Sequence, residues 1–244
     1  MKLFTTTIGD GPRTAALLHG ASMTHDIWRD FGRILVDTYD LRLLLVDQRG
    51  HGQSPRSTAY AIEDYIADAV ENLPTGLDFL IGQSLGGRVG AEASEALRPK
   101  RYIGLDPAFT VTKPYAVLLE HVAPHQARFP TWLLKAMGSP PKTAAPDTLD
   151  RIRAAWAKWD PSMMKQLVAC RTPGFVPAPP AVPSTIVLAS PSFCVSPERA
   201  EEFRAFGWDV RVKPGAIHDL HIQDPKGLAL LLDDVLRASD GAPA

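Results

Sequence analysis

The sequence predicts an α/β domain, a mostly parallel, doubly wound sheet of about eight strands carrying an inserted helical cap, and three observations point to it. Short apolar runs alternate with stretches of helical periodicity, which calls for parallel strands covered by helices. That alternation stops near Phe109, gives way to helical segments interrupted by Pro124, Pro130, Pro140, Pro141, Pro146 and Pro161, and resumes after Val182. A length of 244 residues with 45% apolar composition suits one well-filled core with an insertion.

Taken in order, Met1 to Thr7 reads as an edge strand. Strands follow at Thr14 to His19, Leu41 to Asp47, Phe79 to Gly82, Arg101 to Asp106, Thr185 to Ser190 and Asp209 to Val212. Between them Ile27, Trp28, Phe31, Ile34 and Leu35 recur at helical spacing, as do Ile62, Tyr65, Ile66, Ala69, Val70 and Leu73, so each set is a buried helix face. Ser196 and Pro197 form an N-cap and first helical position, and Gly207 follows the C-terminus of the same helix. Leu228, Leu231, Leu232 and Val235 mark a last helix, after which the tail beyond Arg237 frays. Thr172 to Pro183 holds five prolines and is expected to be a stiff, extended return to the core. The expected division is therefore a core of residues 1–108 and 183–244 and a cap of residues 109–182.

Charge narrows the function classes. The formal net charge is −1 and no basic run occurs, so neither nucleic acid nor an anionic membrane is an expected partner, and a small molecule is. The N-terminus lacks an apolar signal region and no window holds 18 uninterrupted apolar residues, from which a soluble, cytoplasmic protein is expected. Cys170 and Cys194 lack metal-ligand spacing and are expected to be reduced thiols in or near the core. No metal, nucleotide or redox cofactor motif is visible, and none is expected.

The chemistry concentrates in Gly82-Gln83-Ser84-Leu85-Gly86, which follows an apolar strand and precedes a helix-compatible stretch. A strand, tight turn and helix in that order put Ser84 Oγ above the sheet, with glycines removing the side chains that would collide around the turn. With this context the chain resembles the α/β-hydrolase family, and the resemblance spans almost everything outside the cap. Leu17-Leu18-His19-Gly20-Ala21 is similar to that family's HG loop, which implies an oxyanion hole made by the Ala21 and Leu85 N–H groups. Asp47-Gln48-Arg49-Gly50-His51-Gly52-Gln53-Ser54 is similar to a rigid scaffold turn of the family, and Asp47, Arg49 and His51 are expected to be structural, as is His19. Gly215-Ala216-Ile217-His218 resembles the loop bearing the catalytic histidine, with Ile217 standing where a second glycine is usual. His218 is accordingly the expected base, ahead of His221 and of His25, His121 and His125 in helix or cap.

The resemblance is weakest at the triad acid. Its usual place follows the strand at Thr185 to Ala189, but Ser190-Pro191-Ser192-Phe193-Cys194-Val195 contains no carboxylate, and Ser192 stands where the aspartate would. Some branches of the family carry the acid one strand earlier, which implies Asp106 in Gly104-Leu105-Asp106-Pro107; a Ser192-assisted dyad and an unrecognised acid stay open. The expected activity is hydrolysis of a small, apolar carboxylic ester or lactone through a Ser84 acyl-enzyme. C–C bond hydrolysis or cofactor-free perhydrolysis on the same triad is the alternative, as is a non-catalytic binding protein on the same scaffold. Trp132, Met137 and Trp156 are the named candidates for substrate contact within a cap stripe that also includes Leu133, Leu134, Trp159, Met163 and Met164, whose first role is packing.

Overall fold

Strand formation follows the pattern of burial that the apolar runs dictate. In a computed structural model that describes residues 1–110, 120–136, 141–169 and 174–238, the strands are Phe4–Ile8 (β1), Arg13–Leu18 (β2), Leu41–Asp47 (β3), Phe79–Gln83 (β4), Arg101–Leu105 (β5), Ser184–Leu188 (β6) and Asp209–Val212 (β7). Residues of β1 alternate between half-buried and exposed, as on a strand with one wet face, whereas β4 and β6 are buried throughout, as on strands covered from both sides.

The sheet order is β1-β3-β2-β4-β5-β6-β7. Only β1 runs antiparallel to its neighbour, with Phe4 opposite Asp47 and Ile8 opposite Leu43. Seven strands are present among the described residues, one for each segment read from the sequence, with the N-terminal edge strand paired directly with β3. The winding reverses between β2 and β4, where Leu18 lies opposite Gly82. In open α/β sheets the crevice beyond the strand ends at such a reversal is where ligands bind, and here it brings the turn after β4 beside the loop after β2.

Helices cover both faces. Arg29–Tyr39 (α1) buries Phe31, Gly32 and Leu35, and it ends at Asp40, whose φ of 54° takes the left-handed conformation of a helix stop. Ile62–Asn72 (α2) starts where Asp64 Oδ2 accepts the Ala61 N–H at 2.9 Å, half of a capping box. Leu85–Leu97 (α3) lies close to the sheet because Gly86 lets it: a Cβ there would sit 2.2 Å from the Leu18 carbonyl oxygen. Ser196 caps the helix Pro197–Ala205 through the Arg199 N–H, as its sequence foretells.

The last helix departs from expectation. In place of one helix over Leu228 to Val235 the chain forms two, Pro225–Leu231 and Asp233–Arg237, after a short helix at Leu220–Gln223. Pro225 disfavours helical geometry at Asp224, which takes φ −150° and ψ 74° and caps the next helix by accepting the Gly227 N–H at 2.9 Å. Leu228, Leu232, Val235 and Leu236 are nonetheless fully buried.

Between β5 and β6 the described residues contain helices and no strand, among them Thr131–Ala136, Thr148–Ala157 and Met163–Ala169. This segment docks on the core by polar contacts: Asp160 N–H to Gly50 O at 2.7 Å, Tyr60 Oη to Asp160 Oδ2 at 2.7 Å, and Arg151 to Asp30. From Gly174 onward the return is extended, as its prolines require, and Phe175 stacks on Phe109 at 4.2 Å beside Phe203 and Trp208. No helix among the described residues is long and apolar enough to cross a membrane.

Candidate active site

Ser84 sits between the last residue of β4 and the first of α3 with φ 52° and ψ −114°, a backbone strain of the order of 1–3 kcal/mol for a residue with a side chain. The fold holds it there from three directions. Its N–H donates to Leu105 O at 3.1 Å, and its carbonyl accepts the Arg88 and Ala108 N–H groups at 3.0 and 2.9 Å. Gly82 is required as well, since a Cβ on it would lie 2.2 Å from the Gly86 carbonyl oxygen. Across the reversal, a Cβ on Gly20 would meet Gln83 Oε1 at 2.2 Å and Ser84 Cβ at 3.2 Å, so the loop after β2 abuts the serine turn.

Leu85 opens α3, so its N–H has no partner within the helix. Neither that N–H nor the N–H of Ala21 donates to an acceptor among the described residues. His19, behind this loop, is fully buried and spends both ring nitrogens on backbone, Nδ1 donating to Gly20 O at 2.8 Å and Nε2 accepting the Gln48 N–H at 3.1 Å. His51 does the same, donating to Arg49 O and accepting the Ser22 N–H, and burial drops it to about 3. Asp47 accepts from the His25 N–H, the His25 Nδ1–H and the Gln53 N–H, while Arg49 pairs with buried Asp68 at 2.6 Å. These four residues thus build the frame of the crevice.

Asp106 ends β5 in a left-handed conformation, φ 41°, and is fully buried. Its carboxylate divides its work. Oδ1 accepts the Ala189 N–H at 3.2 Å, and Oδ2 faces His218 Nδ1 at 2.6 Å. His218 stands in the loop after β7, its ring against Phe193 at 4.7 Å, its carbonyl accepting Gln83 Nε2 at 3.2 Å. Gln83, which sequence reasoning did not single out, thereby ties the histidine loop to the residue preceding Ser84.

Burial disfavours a charged His218, but the adjoining Cys194 sulfur and Asp106 carboxylate outweigh it and hold the imidazole well above its ordinary value. Burial also pushes the Cys194 thiol up.

Ser192 is not turned to the imidazole as an acid's substitute. Its Oγ accepts the Cys194 and Val195 N–H groups at 3.1 and 3.0 Å and so pins its own loop. His221 is buried against Trp28, with ring centroids 4.4 Å apart, and neither of its nitrogens has a partner among the described residues. Burial lowers it to about 3. His25 belongs to a short 3-10 helix, and His121 and His125 are exposed. Trp132 is 70% exposed, whereas Trp156, Trp159, Met163 and Met164 are buried in packing. Met137 and Cys170 lie outside the described residues.

A family model described as "Alpha/beta hydrolase family" matches residues 16–229. Among curated proteins, a pimeloyl-[acyl-carrier protein] methyl ester esterase of Edwardsiella ictaluri is 34% identical over 113 residues, which is 44% of this chain and 42% of that protein. The chain thus spans less than half the length of that relative, and a Methylococcus capsulatus protein of the same name matches over 35% of its own length at 35% identity. Among solved structures, an E-2-(acetamidomethylene)succinate hydrolase superposes with a TM-score of 0.76 at 22% identity, covering 97% of this chain and 95% of that one.

Proposed function

The chain belongs to the alpha/beta hydrolase family, and on that premise we propose that it cleaves a small, apolar carboxylic ester or lactone through a Ser84 acyl-enzyme. The 2.6 Å contact of Asp106 Oδ2 with His218 Nδ1 carries the reading. With the Nδ1 proton held toward the carboxylate, the free lone pair lies on Nε2, which takes the hydroxyl proton as Ser84 Oγ attacks the acyl carbon. The developing oxyanion is received by the Ala21 and Leu85 N–H groups, each such donor being worth about 3 kcal/mol. The imidazolium passes its proton to the leaving alcohol, and water repeats the sequence to release the acid. Asp106 fixes the tautomer and stabilises the imidazolium without taking the proton itself.

Residues 109–182 serve in this reading as a cap over the crevice, with Trp132, Met137 and Trp156 its candidate substrate contacts. The name carried by the curated relatives makes an acyl methyl ester, leaving as methanol, the first compound class to assay. The test is intact mass with peptide mapping after exposure to a serine-reactive fluorophosphonate, on wild type and Ser84→Ala. One adduct on Ser84, absent from the variant, and ester turnover that disappears with it are expected. A folded protein that takes no adduct would leave a non-catalytic binding protein as the reading.

A further inference from the structure

We propose that Asp106, Cys194 and His218 form a binding site for a soft divalent cation such as Zn2+, and that its occupation switches the enzyme off. One ligand atom from each of the three lies within 4.8 Å of the other two. The proposed catalytic cycle uses only the carboxylate and the imidazole, so the thiol is a third ligand that hydrolysis does not explain. Together they make a carboxylate, imidazole and thiolate set, of which the sulfur and nitrogen favour zinc over magnesium or calcium.

The three ligands come from neighbouring strand ends: Asp106 directly after β5, Cys194 in the loop after β6, His218 in the loop after β7. Cys194 is held firmly. Its N–H is fixed by Ser192 Oγ, and its carbonyl accepts the Thr110 N–H at 3.0 Å. The thiol is free and buried, and its sulfur lies within 4.8 Å of a His218 ring nitrogen and an Asp106 carboxylate oxygen. A tetrahedral zinc with bonds of about 2.0 Å to oxygen and nitrogen and about 2.3 Å to sulfur would spread its ligands to roughly 3.3–3.5 Å. Asp106 and His218, now 2.6 Å apart, would then part by less than about 1 Å. Water would take the fourth position.

Charge favours the arrangement. Binding expels the thiol proton, after which the carboxylate and thiolate cancel the two positive charges, leaving a neutral complex where Asp106 and Cys194 are buried. An ion between Asp106 and the nitrogen facing it sits on Nδ1, so the imidazole proton moves to Nε2. In that tautomer His218 has no lone pair for the Ser84 proton, and turnover stops. This last step rests on the hydrolase reading; the binding step does not.

The experiment replaces Cys170 with serine throughout, so that any thiolate signal belongs to Cys194, and titrates the metal-free protein with Co2+ as a coloured stand-in for zinc. A thiolate-to-cobalt charge-transfer band is expected in Cys170→Ser and is expected to vanish in Cys170→Ser with Cys194→Ser or Cys194→Ala, each checked for native circular dichroism. Zn2+ is expected to inhibit methyl ester hydrolysis at least about tenfold more weakly once Cys194 is gone. A folded protein without the band, or equal inhibition with and without Cys194, overturns the site. A band in a chain that hydrolyses nothing would support the site while removing the hydrolase reading.

Discussion

Replacing Asp106 with asparagine tests the site most sharply, because the structure dictates which way the amide will face. Asparagine has the shape of aspartate, and its oxygen is claimed by the Ala189 N–H, now 3.2 Å from Oδ1. The amide NH2 must then occupy the Oδ2 position, 2.6 Å from His218 Nδ1, where it can only donate. A donor at Nδ1 selects the tautomer with its proton on Nε2, which cannot accept from Ser84. Loss of the orienting carboxylate in a serine triad costs about 10⁴ in kcat, or about 5 kcal/mol of transition-state stabilisation. The assay is kcat on an acyl methyl ester alongside a thermal melt. A drop of about 10⁴ with KM and melting temperature near wild type is expected. A kcat within about tenfold of wild type would refute Asp106 as the orienting group.

Other consequences follow from the same contacts. Because His218 must be neutral to act as base and is held above 6.5, kcat/KM should rise with pH through a midpoint above 6.5; in Asp106→Asn the midpoint of any residual activity should move down, and a wild-type midpoint below 6.5 would contradict the pairing. His51 and His221 titrate at about 3 when folded and at 6.5 when unfolded, so the unfolded chain binds more protons between those values and stability falls as pH drops below 6.5. Each histidine contributes a slope of up to about 1.4 kcal/mol per pH unit in urea titrations, and His221→Leu should remove one such share; an unchanged slope would show that His221 is not held neutral. Ser192→Ala should lose about 1–2 kcal/mol of stability by freeing two N–H groups, yet keep turnover within a few-fold; loss of activity on the scale of Ser84→Ala would restore the serine-assisted dyad.

The sheet was legible because its strands are short apolar runs bounded by polar residues, a signal local to each segment. The placement of Ser84 in a strand-to-helix turn and of His218 in the loop after β7 was legible for a related reason: a glycine-flanked turn and a strand-end loop are both short-range features. Asp106 was singled out only by likeness, because the contacts it makes are with the Ala189 N–H and His218, which come from two other strand ends. Cys194 lay further from view, since no spacing within Pro191 to Val195 announces that the thiol lies within 4.8 Å of an imidazole from the next strand's loop. The break at Leu232, which parts Pro225–Leu231 from Asp233–Arg237, had no signal in the leucine periodicity, because Leu228, Leu232 and Val235 stay buried on both sides of it. Trp132 shows the limit of reading an aromatic stripe: it is exposed while Leu134, two residues on and therefore on the opposite face of the same helix, is buried.

The position of Asp106 at the end of β5 has a consequence for how such a chain can diversify. In the proposed reading, serine turn, glycine loop and acid are all encoded before the segment between β5 and β6, and only the histidine arrives after it. Lengthening, shortening or exchanging the intervening stretch therefore leaves the Ser84 and Asp106 anchors untouched, provided the returning chain restores the Ala189 N–H and the His218 loop. On that same reading the segment between β5 and β6 is a replaceable cassette between two fixed joints, and recombination at those joints would alter what the chain accepts without rebuilding how it reacts.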